Sequence, residues 1–121
     1  LYAASKATEP DEITFLLPGA LSTAAVFGAA NAWDSDRHQV VEYRLPGMRG
    51  EPLSPRLDIL RAATQVAAYA NRHPQARINL LGYSTGGAIA IEAAGRIDNS
   101  ARVQVVAISS ATPFPGAALA V

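Results

Sequence analysis

The residues of this 121-residue chain best suited to covalent chemistry are Gly82-Tyr83-Ser84-Thr85-Gly86-Gly87. A serine with glycines two positions away on either side serves as a nucleophile when a tight strand-to-helix turn thrusts its hydroxyl clear of its neighbours. Side chains at Gly82 and Gly86 would collide with the strand entering that turn and the helix leaving it, so the two glycines answer a steric demand. A helix starting there also aims free backbone N–H groups, Thr85 among them, at the space beside Ser84, where negative charge would be stabilised. The plainer use of the same letters is a glycine turn whose serine caps a helix. Rival glycine motifs fit less well. A dinucleotide fingerprint wants glycine at position 84 and an acidic residue closing the next strand, and a phosphate-binding loop wants lysine before the serine.

The elements around the motif are those it requires. Ile78, Leu80 and Leu81 form a short apolar run ahead of it, and residues 88–94 (AIAIEAA) have helical composition without a breaker. Upstream, residues 13–17 read as a buried strand ended by Pro18-Gly19, and residues 39–43 as a second strand stopped by Leu45-Pro46-Gly47. Residues 20–33 between them are expected to begin as loop and become helix. A helix from Arg56 to Asn71, with Leu57, Leu60, Val66, Ala67 and Ala70 near helical spacing, stops at His73-Pro74. Residues 103–108 give a fourth strand. Strands alternating with helices predict an α/β fold, a parallel sheet with helices on both faces. Residues 1–12 read as a linker or leading arm, and residues 13–121 as one partial domain.

Pro18-Gly19-Ala20-Leu21 lies past the C-terminal end of the first strand, the edge where ligands gather in parallel sheets. If that strand neighbours the serine's strand, the N–H of Ala20 or Leu21 meets that of Thr85 around one oxygen atom and makes an oxyanion hole. An activated serine further needs a base, and the base an orienting acid. No histidine follows Ser84. His38 and His73 both precede strands and are expected at the opposite edge of the sheet, as surface or capping residues. The acids after Ser84 are Glu92, inside the following helix, and Asp98, near its end.

Composition narrows the alternatives. Ten Lys and Arg balance ten Asp and Glu, which supplies no field for nucleic acid or an anionic membrane surface. No apolar run is long enough for a membrane span. Cysteine is absent, which excludes disulfide and thiolate–metal scaffolds and is compatible with a reducing, cytoplasmic location.

Pro18-Gly19-Ala20, Leu45-Pro46-Gly47 and Gly82-Tyr83-Ser84-Thr85-Gly86-Gly87 followed by Ala90-Ile91-Glu92 resemble the alpha/beta-hydrolase superfamily. Within it they are most similar to the thioesterases of polyketide and nonribosomal peptide synthesis. The resemblance implies that the chain carries the third to sixth strands of the family sheet. It implies Ser84 as nucleophile, Thr85 with Ala20 or Leu21 as oxyanion hole, Tyr83 beside the substrate in place of a common histidine, and no cofactor or metal. The expected function is serine acyl hydrolysis of a thioester on coenzyme A or a carrier-protein arm. An ester hydrolase of carboxylesterase or lipase type, or a noncatalytic binding module, is the alternative. Because the order serine, acid, histidine cannot be completed here, acid and base are expected from a remaining segment of the same enzyme. The strand at 103–108 is then expected to stand as an apolar edge.

Overall fold

The computed structural model describes residues 2–3, 9–19, 27–28, 32–43 and 55–108. Its strands are β1 (Tyr2–Ala3), β2 (Glu12–Leu17), β3 (His38–Glu42), β4 (Arg77–Tyr83) and β5 (Val103–Ile108), with helices α1 (Pro55–Asn71) and α2 (Thr85–Ala94). They form one sheet in the order β1-β3-β2-β4-β5. The four longer strands run parallel, and β1 pairs antiparallel with β3 through Tyr2↔Glu42 and Ala3↔Val41. The leading arm thus contributes a two-residue edge. The apolar strand β5 is the outer strand on the other side among the described residues, with Ile108 45 % exposed.

The register places β2 beside β4, with Leu17 opposite Gly82. That pairing sets the site, because the Pro18-Gly19 turn and the glycine turn leave the sheet side by side. One face carries the main core: Ile13, Phe15 and Leu17 of β2, Val41 of β3, and Ile78 and Leu80 of β4. Both described helices pack on this face. Their approach is close because α1 presents Ile59, Ala62, Ala63, Val66, Ala67 and Ala70, and α2 presents Ala88, Ile89, Ala90 and Ala93. The α1 stripe buries Val66, Ala67 and Ala70 as expected and departs from the expected one at Leu60. Leu60 is only half-buried, while Ala62 and Ala63, outside the expected stripe, are wholly covered, since a helix seated tightly on a sheet selects small residues over large ones at its contact line. The opposite face holds Leu16 and Val40, with Phe27 and Leu81 against them. Most of the segment expected to become a helix, residues 20–33, lies outside the described residues.

One side chain ties the base of the sheet to the end of α1 and to the segments that follow the two helices. Arg102 donates to the carbonyls of Ala70, His73, Ala76 and Asp98 at 2.7–3.2 Å. It adds a charged donor to the Ala70 and His73 carbonyls, which already accept the backbone N–H groups of His73 and Ala76, and its positive charge suits a helix C-terminus. Arg102→Met, which keeps much of the volume and loses every donor, is expected to cost about 2–3 kcal/mol in urea unfolding.

Two tyrosines make stability sensitive to alkali. Burial, with a smaller contribution from Asp58, raises the Tyr43 pKa against the opposing pull of Arg61. Burial raises that of Tyr69, whose hydroxyl donates to Gln39, against the pull of that bond and of Arg72. Both phenols thus hold their protons more tightly in the folded chain. Their contribution is complete below the unfolded pKa near 10 and is lost as pH rises through the higher folded values. Unfolding free energy should fall above about pH 10, and Tyr43→Phe should flatten that fall.

Candidate active site

Ser84 joins the end of β4 to the start of α2 with φ 55° and ψ −119°. A non-glycine residue in this region costs about 1–3 kcal/mol and persists only where its surroundings impose it. Here they do. The Ser84 amide donates to the Ile108 carbonyl at 3.2 Å, and its own carbonyl accepts the Gly87 N–H at 2.9 Å. The hydroxyl makes no capping hydrogen bond to the helix it precedes, which sets aside the plainer use of the serine. The residue is half-buried, as are Tyr83 and Thr85 on either side of it.

The flanking glycines are required by space. A Cβ on Gly82 would lie 2.3 Å from the Gly86 carbonyl oxygen. One on Gly86 would lie 1.7 Å from the Leu17 carbonyl oxygen. The first turn of α2 is therefore pressed against the chain end of β2, and its opening amides, Thr85 first, face the C-terminal edge of the sheet. Ala20 and Leu21, the expected second donors, lie outside the described residues. So does the loop at 45–47. The sequence reading did not single out Gly19 as a contact of the serine, yet it is buried and borders Ser84 directly. The signal was present in the Pro-Gly pair after the strand.

The structure does not bring a histidine to Ser84. His38 opens β3 opposite Glu12, whereas Gly82 lies opposite Leu17, five residues along β2 and about 16 Å away. It is not the surface residue expected from sequence. Its Nε2 shares a 2.6 Å hydrogen bond with the hydroxyl of fully buried Thr14, which also accepts from Asn79 at 3.1 Å. Asn79 donates in turn to Glu12 at 2.7 Å. This network answers the polar needs of its members inside the second face, beside a cleft of about 480 Å³ bordered by Trp33, Leu81 and Val106. His73 follows α1, its ring 5.4 Å from that of Tyr69. Glu92 pairs with Arg96 at 2.8 Å, and the Asp98 carbonyl receives Arg102. Among the described residues no cluster of three or more His, Cys, Asp or Glu could hold a metal ion, and no helix is long and apolar enough to cross a membrane.

A parallel α/β sheet with a strained serine between its strand and helix defines a broad class of proteins. Comparison with known families narrows it: the model of the alpha/beta hydrolase family matches residues 15–121. The chain belongs to the alpha/beta hydrolase family, whose members are typically hydrolytic enzymes. No curated protein and no solved structure matches it.

Proposed function

We propose that the chain is the nucleophile-bearing part of a serine acyl hydrolase that acts on thioesters carried by coenzyme A or by a carrier-protein arm. The observation that carries this reading is the Ser84 backbone, held at positive φ with a hydroxyl that caps nothing. Strain of this kind, at the edge of a sheet where ligands collect, finds its use when the side chain reacts.

The Ser84 oxygen attacks the thioester carbonyl carbon and gives up its proton to a base. The resulting oxyanion lies between the Thr85 N–H and that of Ala20 or Leu21, in a setting where each such donor is worth about 3–4 kcal/mol of barrier. Collapse breaks the carbon–sulfur bond, and the thiolate takes the proton from the base. Water then cleaves the Ser84 ester, giving a carboxylic acid and the free hydroxyl. The base and its orienting acid come from a further segment of the same enzyme, since His38 and His73 are bound into the far end of the sheet. Tyr83, half-buried ahead of the nucleophile, borders the acyl group.

The test compares hydrolysis of acyl-coenzyme A, acyl-carrier protein and p-nitrophenyl esters by the full-length protein. A kcat/KM at least about tenfold higher on thioesters than on esters of matched acyl chain is the expected result. Faster ester hydrolysis would replace thioesterase by carboxylesterase. Failure to turn over either class would favour a binding role on a hydrolase scaffold.

A further inference from the structure

We infer that the second face of the sheet carries a site for a neutral sugar of one or two pyranose rings, apart from the Ser84 edge and independent of the reading given to it. A parallel sheet covered on both faces is ordinarily apolar on both. Here the register builds two kinds of row across the second face. Leu16, Leu81 and Val106 stand opposite one another in an apolar row. Nearer the strand starts, Thr14, Asn79 and Gln104 form a polar row, and His38, Glu12 and Arg77 a second. Where apolar and polar rows meet lies the cleft of about 480 Å³, with Trp33, 50 % exposed, on its border. That volume is of the size that takes a small molecule. A further cleft of about 490 Å³ adjoins it, sharing Glu12, Asn79 and Gln104. Asn79 lies five residues before Ser84, about 16 Å down the strand.

Asn79, His38 and Glu12 each have a partner in the Thr14 network, and each has a further atom left for a ligand. A carboxylate only accepts, so the Asn79 atom 2.7 Å from Glu12 is the amide nitrogen, which also donates to Thr14. The Asn79 carbonyl oxygen remains open. Thr14 is fully buried and gives its own proton to His38 Nε2, which puts the proton of the neutral ring on Nδ1. His38 Nδ1 stands 3.9 Å from Glu12 Oε1, too far for a hydrogen bond. A hydroxyl oxygen bridges such a gap, because one atom accepts from the ring N–H and donates to the carboxylate. The exposed Gln104 amide makes no hydrogen bond among the described residues and offers donors and an acceptor beside Asn79. Arg77, 3.6 Å from Glu12, offsets its charge, so the cleft favours neither a cation nor an anion. A neutral ring with hydroxyls around its rim and C–H bonds on its face matches this combination of spare polar atoms and an exposed indole. A flat nitrogen heterocycle would stack on Trp33, but it carries its donors and acceptors on separate atoms.

Calorimetric titration of the full-length protein with methyl β-D-glucopyranoside, methyl β-D-galactopyranoside, cellobiose and lactose tests this. Saturable binding of at least one of these sugars, with a Kd of roughly millimolar or below, is the expected result. Trp33→Ala and Gln104→Ala should each weaken it at least about fivefold. Gln104 is exposed, so its variant decides the matter if Trp33→Ala fails to fold. Glycerol, which has hydroxyls without a ring, and uracil, a flat ring without hydroxyls, should bind at least about tenfold more weakly than the best sugar. Ser84→Ala should bind that sugar as the parent does. Absence of saturable heat from every sugar up to about 50 mM, or unchanged affinity in Gln104→Ala, overturns the site. Tighter binding of uracil than of any sugar overturns the ligand class. Loss of sugar binding in Ser84→Ala would move the ligand to the reacting edge and overturns the second-face site as well. Thioester turnover is measured separately, so its failure leaves the sugar titrations standing.

Discussion

Ser84→Ala is expected to reduce thioester turnover by about 10⁴-fold or more, with little change in the thermal midpoint. The two readouts separate because alanine keeps the Cβ, and with it the backbone strain, while deleting the only atom proposed to react. Ser84→Gly should lose activity to the same extent but gain stability. Glycine reaches positive φ without the penalty borne by serine, so relief of the 55° conformation should outweigh the larger entropy of the unfolded chain by about 1 kcal/mol. A rise of roughly 4 °C in the thermal midpoint would follow. An inactive protein more stable than its parent is the pattern expected where strain is maintained for chemistry.

Gly86→Ala is expected to prevent folding. Its added carbon would lie 1.7 Å from the Leu17 carbonyl oxygen, about half a normal contact distance, and the atom it meets belongs to the central strand β2. The helix α2 would have to lift off the sheet, carrying Ala88, Ile89, Ala90 and Ala93 out of the core. That places the cost above about 3 kcal/mol, the upper range for overpacking, in a domain whose whole stability is of order 5–15 kcal/mol. Gly82→Ala should behave alike, given a 2.3 Å approach to the Gly86 carbonyl oxygen. Gly95→Ala is the counterexample. Gly95 has helical φ and ψ, and its nearest neighbour would lie 3.7 Å away, so this change should be neutral or stabilise by up to about 1 kcal/mol. Soluble expression and urea unfolding of the three variants distinguish the cases.

The strand–turn–helix around Ser84 could be read from the letters because steric need and local composition point the same way there. Alternating β and α segments likewise carried the parallel sheet, and residues 103–108 were placed as the strand they form. Other features were hidden for physical reasons. The pairing of Tyr2–Ala3 with β3 is made through the backbone, and two residues carry no periodicity. In α1 the burial of Val66, Ala67 and Ala70 is legible from their spacing, but that of Ala62 and Ala63 is not, because alanine is weakly apolar by composition yet favoured where a helix sits close to a sheet. His38 looked superficial because sequence does not reveal that Thr14, far away along the chain, stands opposite with a hydroxyl to share. Gly19 went unsingled because a Pro-Gly pair after a strand is an ordinary turn until the neighbouring strand is known. The register of β2 against β4 supplies that knowledge.

The most direct measurement is peptide mapping of the full-length protein after treatment with a fluorophosphonate. A single phosphonyl adduct on the peptide containing Ser84, absent in Ser84→Ala and prevented by prior denaturation, is the predicted result. An adduct on another serine, or none at Ser84 while the protein hydrolyses acyl substrates, would contradict the proposal that this hydroxyl begins the reaction.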